Sequence, residues 1–156
     1  MNPEPQDLCL DVLEVAVQSD NLTDHNKAWL DAAARCDEES LRHLLKLGAD
    51  INTVDANKNT ALHHATKQAH IAIMHFLIEN GADLNAQNDR SSTPLHLTEK
   101  NIDTIRILLE AGADPNIKDA DWDYPYYFAF YGSMTRELTD LYIKHGAHLE
   151  YADKSK

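Results

Sequence analysis

The stretch 60-TALHHATKQAHIAIMHFLIENGADLN-85 decides the fold. Thr60 is a good N-cap, because its hydroxyl can accept a bond from an unpaired amide in a first helical turn. Leu62, Ala65 and Ala69 follow at helical spacing on one face. After His70 the pattern restarts with Ile71, Ile73, Met74, Phe76, Leu77 and Ile78, a second apolar stripe. Gly81 then stands where helices commonly end in a left-handed residue that glycine adopts cheaply. The spacing therefore predicts a capped short helix, a tight turn, a second helix, a glycine stop and an extended polar connection. Neither helix can bury its stripe alone, so the unit needs neighbours.

Those neighbours are in the chain. A Gly-Ala-Asp/His element stands at Gly48, Gly81, Gly112 and Gly146, at intervals of 33, 31 and 34 residues. The helix-opening element Thr60-Ala61-Leu62-His63 returns 33 residues later as Thr93-Pro94-Leu95-His96, and in altered form as Tyr124-Pro125-Tyr126-Tyr127. A degenerate first copy, Lys27-Ala28-Trp29-Leu30, lies 33 residues before Thr60. Asn52, Asn85 and Asn116 recur two places after the acid of the glycine element. Two motif types in phase at a period near 33 indicate a repeat architecture.

These residues resemble the ankyrin repeat family over roughly 27–150. The resemblance implies an all-α solenoid of helix-turn-helix units joined by β-hairpin-like loops. It implies a single domain over 1–156: an N-terminal capping helix within 1–22, repeats near 23–55, 56–88, 89–119 and 120–150, and a tail at 151–156. Leu62 and Leu95 would then be core, while His63 and His96 would bond to backbone and hydroxyl groups of the neighbouring loops. The capping helix is read from the amphipathic run Asp7–Gln18. Departures from the family pattern are informative. The third repeat is two residues short between its helices, which predicts a tighter turn at Glu99-Lys100-Asn101. Where the family favours glycine at the hairpin tip, this chain has Lys58, Ser91 and Trp122, which predicts loops that differ from one another. Residues 122–131, WDYPYYFAFY, are aromatic at seven of ten positions.

Composition bounds the partner. The chain has 156 residues, with 14 Lys and Arg against 26 Asp and Glu, a formal net charge of −12. Such a field repels nucleic acid and anionic membranes and favours basic protein surfaces. Cys9 and Cys36 have no metal-type or redox spacing and are expected to be reduced thiols, in keeping with a cytoplasmic protein. The acidic N-terminus is unlike a signal peptide, although a leader already cleaved, or secretion as an effector, would leave the same sequence. No apolar run reaches the roughly 18 residues of a membrane span.

Site chemistry narrows the function further. The histidines His63, His64, His70 and His75 lack a closed four-ligand spacing, so no zinc site and no cofactor are expected. Phosphate loops, nucleophile elbows and His-Glu-x-x-His motifs are missing, which argues against an enzyme. Asp119, Asp121 and Asp123 alternate as in a calcium loop, without its glycine and terminal glutamate.

The ankyrin resemblance implies binding through hairpin tips and exposed inner-helix positions, on the concave face. Placed on this sequence, the tip candidates are Asn57, Asn59, Asp89, Arg90, Ser92, Asp121, Trp122 and Asp123. The inner-helix candidates, one past the capping histidine, are His64, Leu97 and Phe128. The expected function is a non-enzymatic protein-binding module, an inhibitor or adaptor. It would act as a monomer on a protein partner with a basic or mixed basic and apolar surface. The rival is a metal- or small-molecule-responsive protein using the histidines or the aromatic fourth repeat.

Overall fold

The computed structural model describes residues 22–130 and 135–149. The expected capping helix at Asp7–Gln18, Cys9 and the tail lie outside those residues. Among the described residues there are seven α-helices, one 3-10 helix and no strand. The chain divides into two compact units, 1–83 and 84–156.

The first unit holds α1 (Leu22–Arg35), α2 (Glu38–Lys46), α3 (Ala61–Lys67) and α4 (Ile71–Glu79). Its core is made by Trp29, Ala32 and Ala33 of α1, Leu41 and Leu44 of α2, Leu62 and Ala65 of α3, and Ile73, Met74 and Leu77 of α4. Trp29 is completely buried. It stands in the repeat phase where the next copies have Leu62 and Leu95. The degenerate first copy does not begin with a cap at Lys27, however. α1 runs straight through that position from Leu22, because a lysine cannot accept an amide bond as threonine does.

The second unit holds the 3-10 helix η1 (Pro94–Thr98), α5 (Ile102–Ala111), α6 (Pro125–Phe130) and α7 (Arg136–Lys144). Leu95, Ile105, Leu108, Leu109, Tyr126, Leu138, Leu141 and Tyr142 form its core. The Tyr126 hydroxyl donates to the carbonyl of His148 at 3.2 Å.

Helix starts follow the sequence chemistry. Thr60 and His63 form a capping box, in which the Thr60 amide donates to His63 Nδ1 at 3.1 Å. Thr93 repeats that bond to His96 Nδ1 at 3.0 Å. Asp37, Asn101 and Thr135 cap α2, α5 and α7 with their side chains. The ends of α2, α4, α5 and α7 share one geometry. Gly48, Gly81, Gly112 and Gly146 have φ of 92°, 85°, 102° and 83°. The following alanine amide bonds back five residues in every case, for example Ala82 to the Leu77 carbonyl at 3.0 Å. This is the Schellman arrangement that a left-handed residue permits.

The third inner helix corrects one expectation. The two-residue deletion does not tighten the turn. It shortens the helix, leaving five residues of 3-10 geometry ended by Glu99 at φ 50°. In the preceding copy Ala69 at φ 54° is followed directly by the α4 cap His70, whereas Lys100 separates Glu99 from the α5 cap Asn101. A 3-10 helix rises about 2.0 Å per residue against 1.5 Å in an α-helix, so fewer residues reach the same turn.

Candidate functional site

Three loops of one design carry the tip candidates: Asp55–Asn59 in the first unit, and Asn88–Ser92 and Asp119–Asp123 in the second. In each, the amide of the first residue donates to the carbonyl of the fifth, at 2.9, 3.1 and 3.0 Å. The amide of the fourth donates to the carbonyl of the first. The side-chain oxygen of that first residue accepts two further amides, from the third and the fifth. Asp55 takes Asn57 and Asn59, Asn88 takes Arg90 and Ser92, and Asp119 takes Asp121 and Asp123, all at 2.8–3.0 Å. The fourth residue is left-handed in all three: Lys58 at φ 60°, Ser91 at 57° and Trp122 at 65°.

The expectation that these loops would differ is therefore corrected. A short acceptor at the first position holds the turn, and a non-glycine residue at the fourth strains it by about 1 kcal/mol without changing its path. The side chain at that fourth position is what varies.

The tips do not all present the residues expected of them. Asn57, Asp89, Arg90, Asp121 and Trp122 are exposed, and Asp123 and Asn59 are half-buried. Ser92 is 7% exposed, its amide held by Asn88 and its carbonyl taken by the Asn88 amide. It is part of the loop's frame and leaves the set of contact candidates. On the inner helices Leu97 and His64 are half-buried. Phe128 belongs to α6, and its side chain lies outside the described ones. His64 Nε2 donates to Asp55 Oδ2 at 2.9 Å, so this ring braces the first loop. Burial raises the Asp55 pKa, but bonds from the Asn59 amide, His64, the Asn59 side chain and the Asn57 amide outweigh it and hold the carboxyl below its ordinary value.

In the second unit the structure joins two of the loops. The Ala120 amide donates to the Arg90 carbonyl at 2.9 Å, bringing Asp89 and Arg90 beside Asp121 and Trp122. His96 Nε2 donates to the carbonyl of Asp123 at 3.2 Å, tying the inner helix η1 to the third loop. Burial lowers the His96 pKa, partly offset by that bond and by the carboxylates of Asp119 and Asp123. Burial thus favours the neutral ring, whose Nδ1 accepts the Thr93 amide.

Trp122 stands out as 77% exposed. Lys118, which sequence reasoning missed, reaches over it. Its Nζ is 5.7 Å from the Trp122 ring centre and 4.6 Å from that of Tyr124. Tyr124 in turn stacks on Tyr126 at 5.1 Å. The available signal was spacing: a lysine immediately before a loop acid, with aromatic residues four and six places on.

Compared with known protein families, residues 12–119 match ankyrin repeats, in three copies. The chain belongs to the ankyrin repeat family. Its class is the all-α ankyrin solenoid of helix-turn-helix units. The match ends before α6, which carries much of the aromatic run, and before α7. No curated protein matches the chain. Ankyrin repeats in general mediate protein–protein interaction, and the family is typically non-enzymatic. Among the described residues no group of three His, Cys, Asp or Glu side chains is placed to hold a metal ion. No helix among them is long and apolar enough to cross a membrane.

Proposed function

We propose that this ankyrin protein is a non-enzymatic, monomeric inhibitor or adaptor of the cytoplasm. It docks a protein partner through its loop tips and inner-helix positions. The observation that carries this reading is Trp122. A large ring held three-quarters in solvent, at the strained position of a hydrogen-bonded loop, contributes nothing to the core. Aromatic residues surrounded by polar ones are the usual energetic centres of interfaces. Asp89, Asp121 and Asp123 around it, and the formal net charge of −12, favour a partner with a basic or mixed basic and apolar surface. Asn57, Asn59 and His64 belong to the same proposal in the first unit, and Leu97 and Phe128 in the second.

The test is affinity capture from the native lysate with wild-type chain and Trp122→Ala side by side, followed by binding measurements on the partner identified. Trp122→Ala should weaken that complex by about 2 kcal/mol with little change in melting temperature. An unchanged affinity, or a sharp fall in melting temperature with binding intact, overturns the reading.

A further inference from the structure

The position just before the first residue of each loop is filled by Val54, Gln87 and Lys118. Side chains there have a defined route. Gln87 crosses its own loop, and its Nε2 donates to the carbonyl of Ser91, the left-handed residue, at 2.9 Å. Lys118 takes the same route in the next loop and meets rings instead of a carbonyl, those of Trp122 and Tyr124. An ammonium is therefore already seated against two aromatic faces. Tyr126, nearly parallel to Tyr124 at 14°, backs the inner ring. The carboxylates of Asp119, Asp121 and Asp123 lie in the same turn.

We propose that Trp122 and Tyr124 form a receptor for one arginine side chain from a basic segment of the partner. Lys118 is the chain's own occupant, which gives way to it. The inference rests on the protein-binding reading above and specifies the chemistry that is recognised. Lys118 serves as the stand-in that demonstrates a cation fits these faces. Arginine is the better occupant, because its planar guanidinium is more weakly hydrated, stacks on a ring and pairs bidentately with a carboxylate. Lys118 is a strongly hydrated point charge that returns to solvent easily, so displacement costs little. A lysine-filled receptor binds its partner more weakly by the fraction of time it is occupied.

Calorimetric titration of the full chain with a Gly-Arg-Gly-Arg-Gly amide peptide tests this, with the citrulline analogue as control. Lys118→Gln should bind the arginine peptide about two- to five-fold more tightly, the factor that an exposed cation–π contact supplies. Trp122→Gly should abolish binding, and it places at φ 65° the residue that takes that conformation without strain, so the fold survives. The proposal is overturned if Trp122→Gly binds as well as wild type, if Lys118→Gln binds more weakly, or if the citrulline peptide binds equally. Should the peptide fail while Trp122→Ala still weakens a captured partner, the arginine receptor falls and the interaction surface stands. Failure of both overturns both.

Discussion

At the scale of single residues, four asparagines carry bonds that the repeat pattern alone does not explain. Asn26, Asn52, Asn85 and Asn116 each accept, through Oδ1, the amide that follows a Gly-Ala pair: Asp50, Asp83, Asp114 and His148, at 2.8–2.9 Å. Asn116 also donates Nδ2 to the Gly146 carbonyl at 2.9 Å. A net hydrogen bond contributes about 1 kcal/mol. Asn52→Ala should therefore cost about 1 kcal/mol and Asn116→Ala about 2 kcal/mol in urea unfolding. Equal costs would mean that the second Asn116 bond adds nothing. His96 gives a pH dependence of definite sign. Its pKa is lowered in the fold by burial, whereas in the unfolded chain it titrates near 6.5. Above that pH both states are neutral there and the group contributes no slope. Below it the unfolded chain takes up the proton first, so stability falls as pH drops. Urea midpoints measured from pH 7.5 to 5.5 should fall in the wild type and fall less in His96→Gln. Parallel curves would assign the slope to other groups.

At the scale of the element, the three loops separate what a sequence states from what it leaves open. The Gly-Ala phase, the threonine caps and the buried Leu62 and Leu95 were legible, because each depends on local chemistry repeated at fixed spacing. The uniformity of the loops was not. It comes from Asp55, Asn88 and Asp119 each holding two amides, and the strained fourth residue hides that sameness. Burial of Ser92 escaped for the same reason, since a serine in a polar loop looks like a contact residue until its amide is traced. The shortened third copy was visible, but whether helix or turn would absorb it depended on how the 3-10 rise spans the gap. Asn26 gave no signal, lying inside α1 and out of phase with the other three. The loop strain leads to a prediction. A left-handed residue other than glycine costs about 1–2 kcal/mol, and glycine returns about 0.4–1 kcal/mol of that to the unfolded chain as entropy. Ser91→Gly should thus stabilise by about 0.5–1 kcal/mol. The urea midpoint should rise at constant slope, and a fall would show that the Ser91 side chain does more than occupy the position.

At the scale of the molecule, charge pushes folding and binding in opposite directions as salt changes. The formal net charge of −12 repels itself in any compact state. Among the described residues the ion pairs of Arg42 with Glu38, Arg106 with Glu137 and Arg136 with Asp140 are exposed, and each contributes about 0–1 kcal/mol. They also weaken with salt, but the chain as a whole carries 26 acids against 14 Lys and Arg. The His64–Asp55 hydrogen bond is half-buried and less sensitive to salt. Screening should therefore relieve more repulsion than it removes attraction. The Debye length shrinks from about 30 Å at 0.01 M to about 8 Å at 0.15 M. Over that range the melting temperature should rise by roughly 2–4 °C, equivalent to about 1 kcal/mol for a chain of this size. Association with a basic partner should weaken over the same range, chiefly through a slower on-rate. Thermal melts and binding kinetics measured in one salt series decide the matter. A melting temperature that drops with salt would mean that the exposed pairs outweigh the excess of acids. Binding that ignores salt would leave the apolar Trp122 face, without the acids around it, as what the partner recognises.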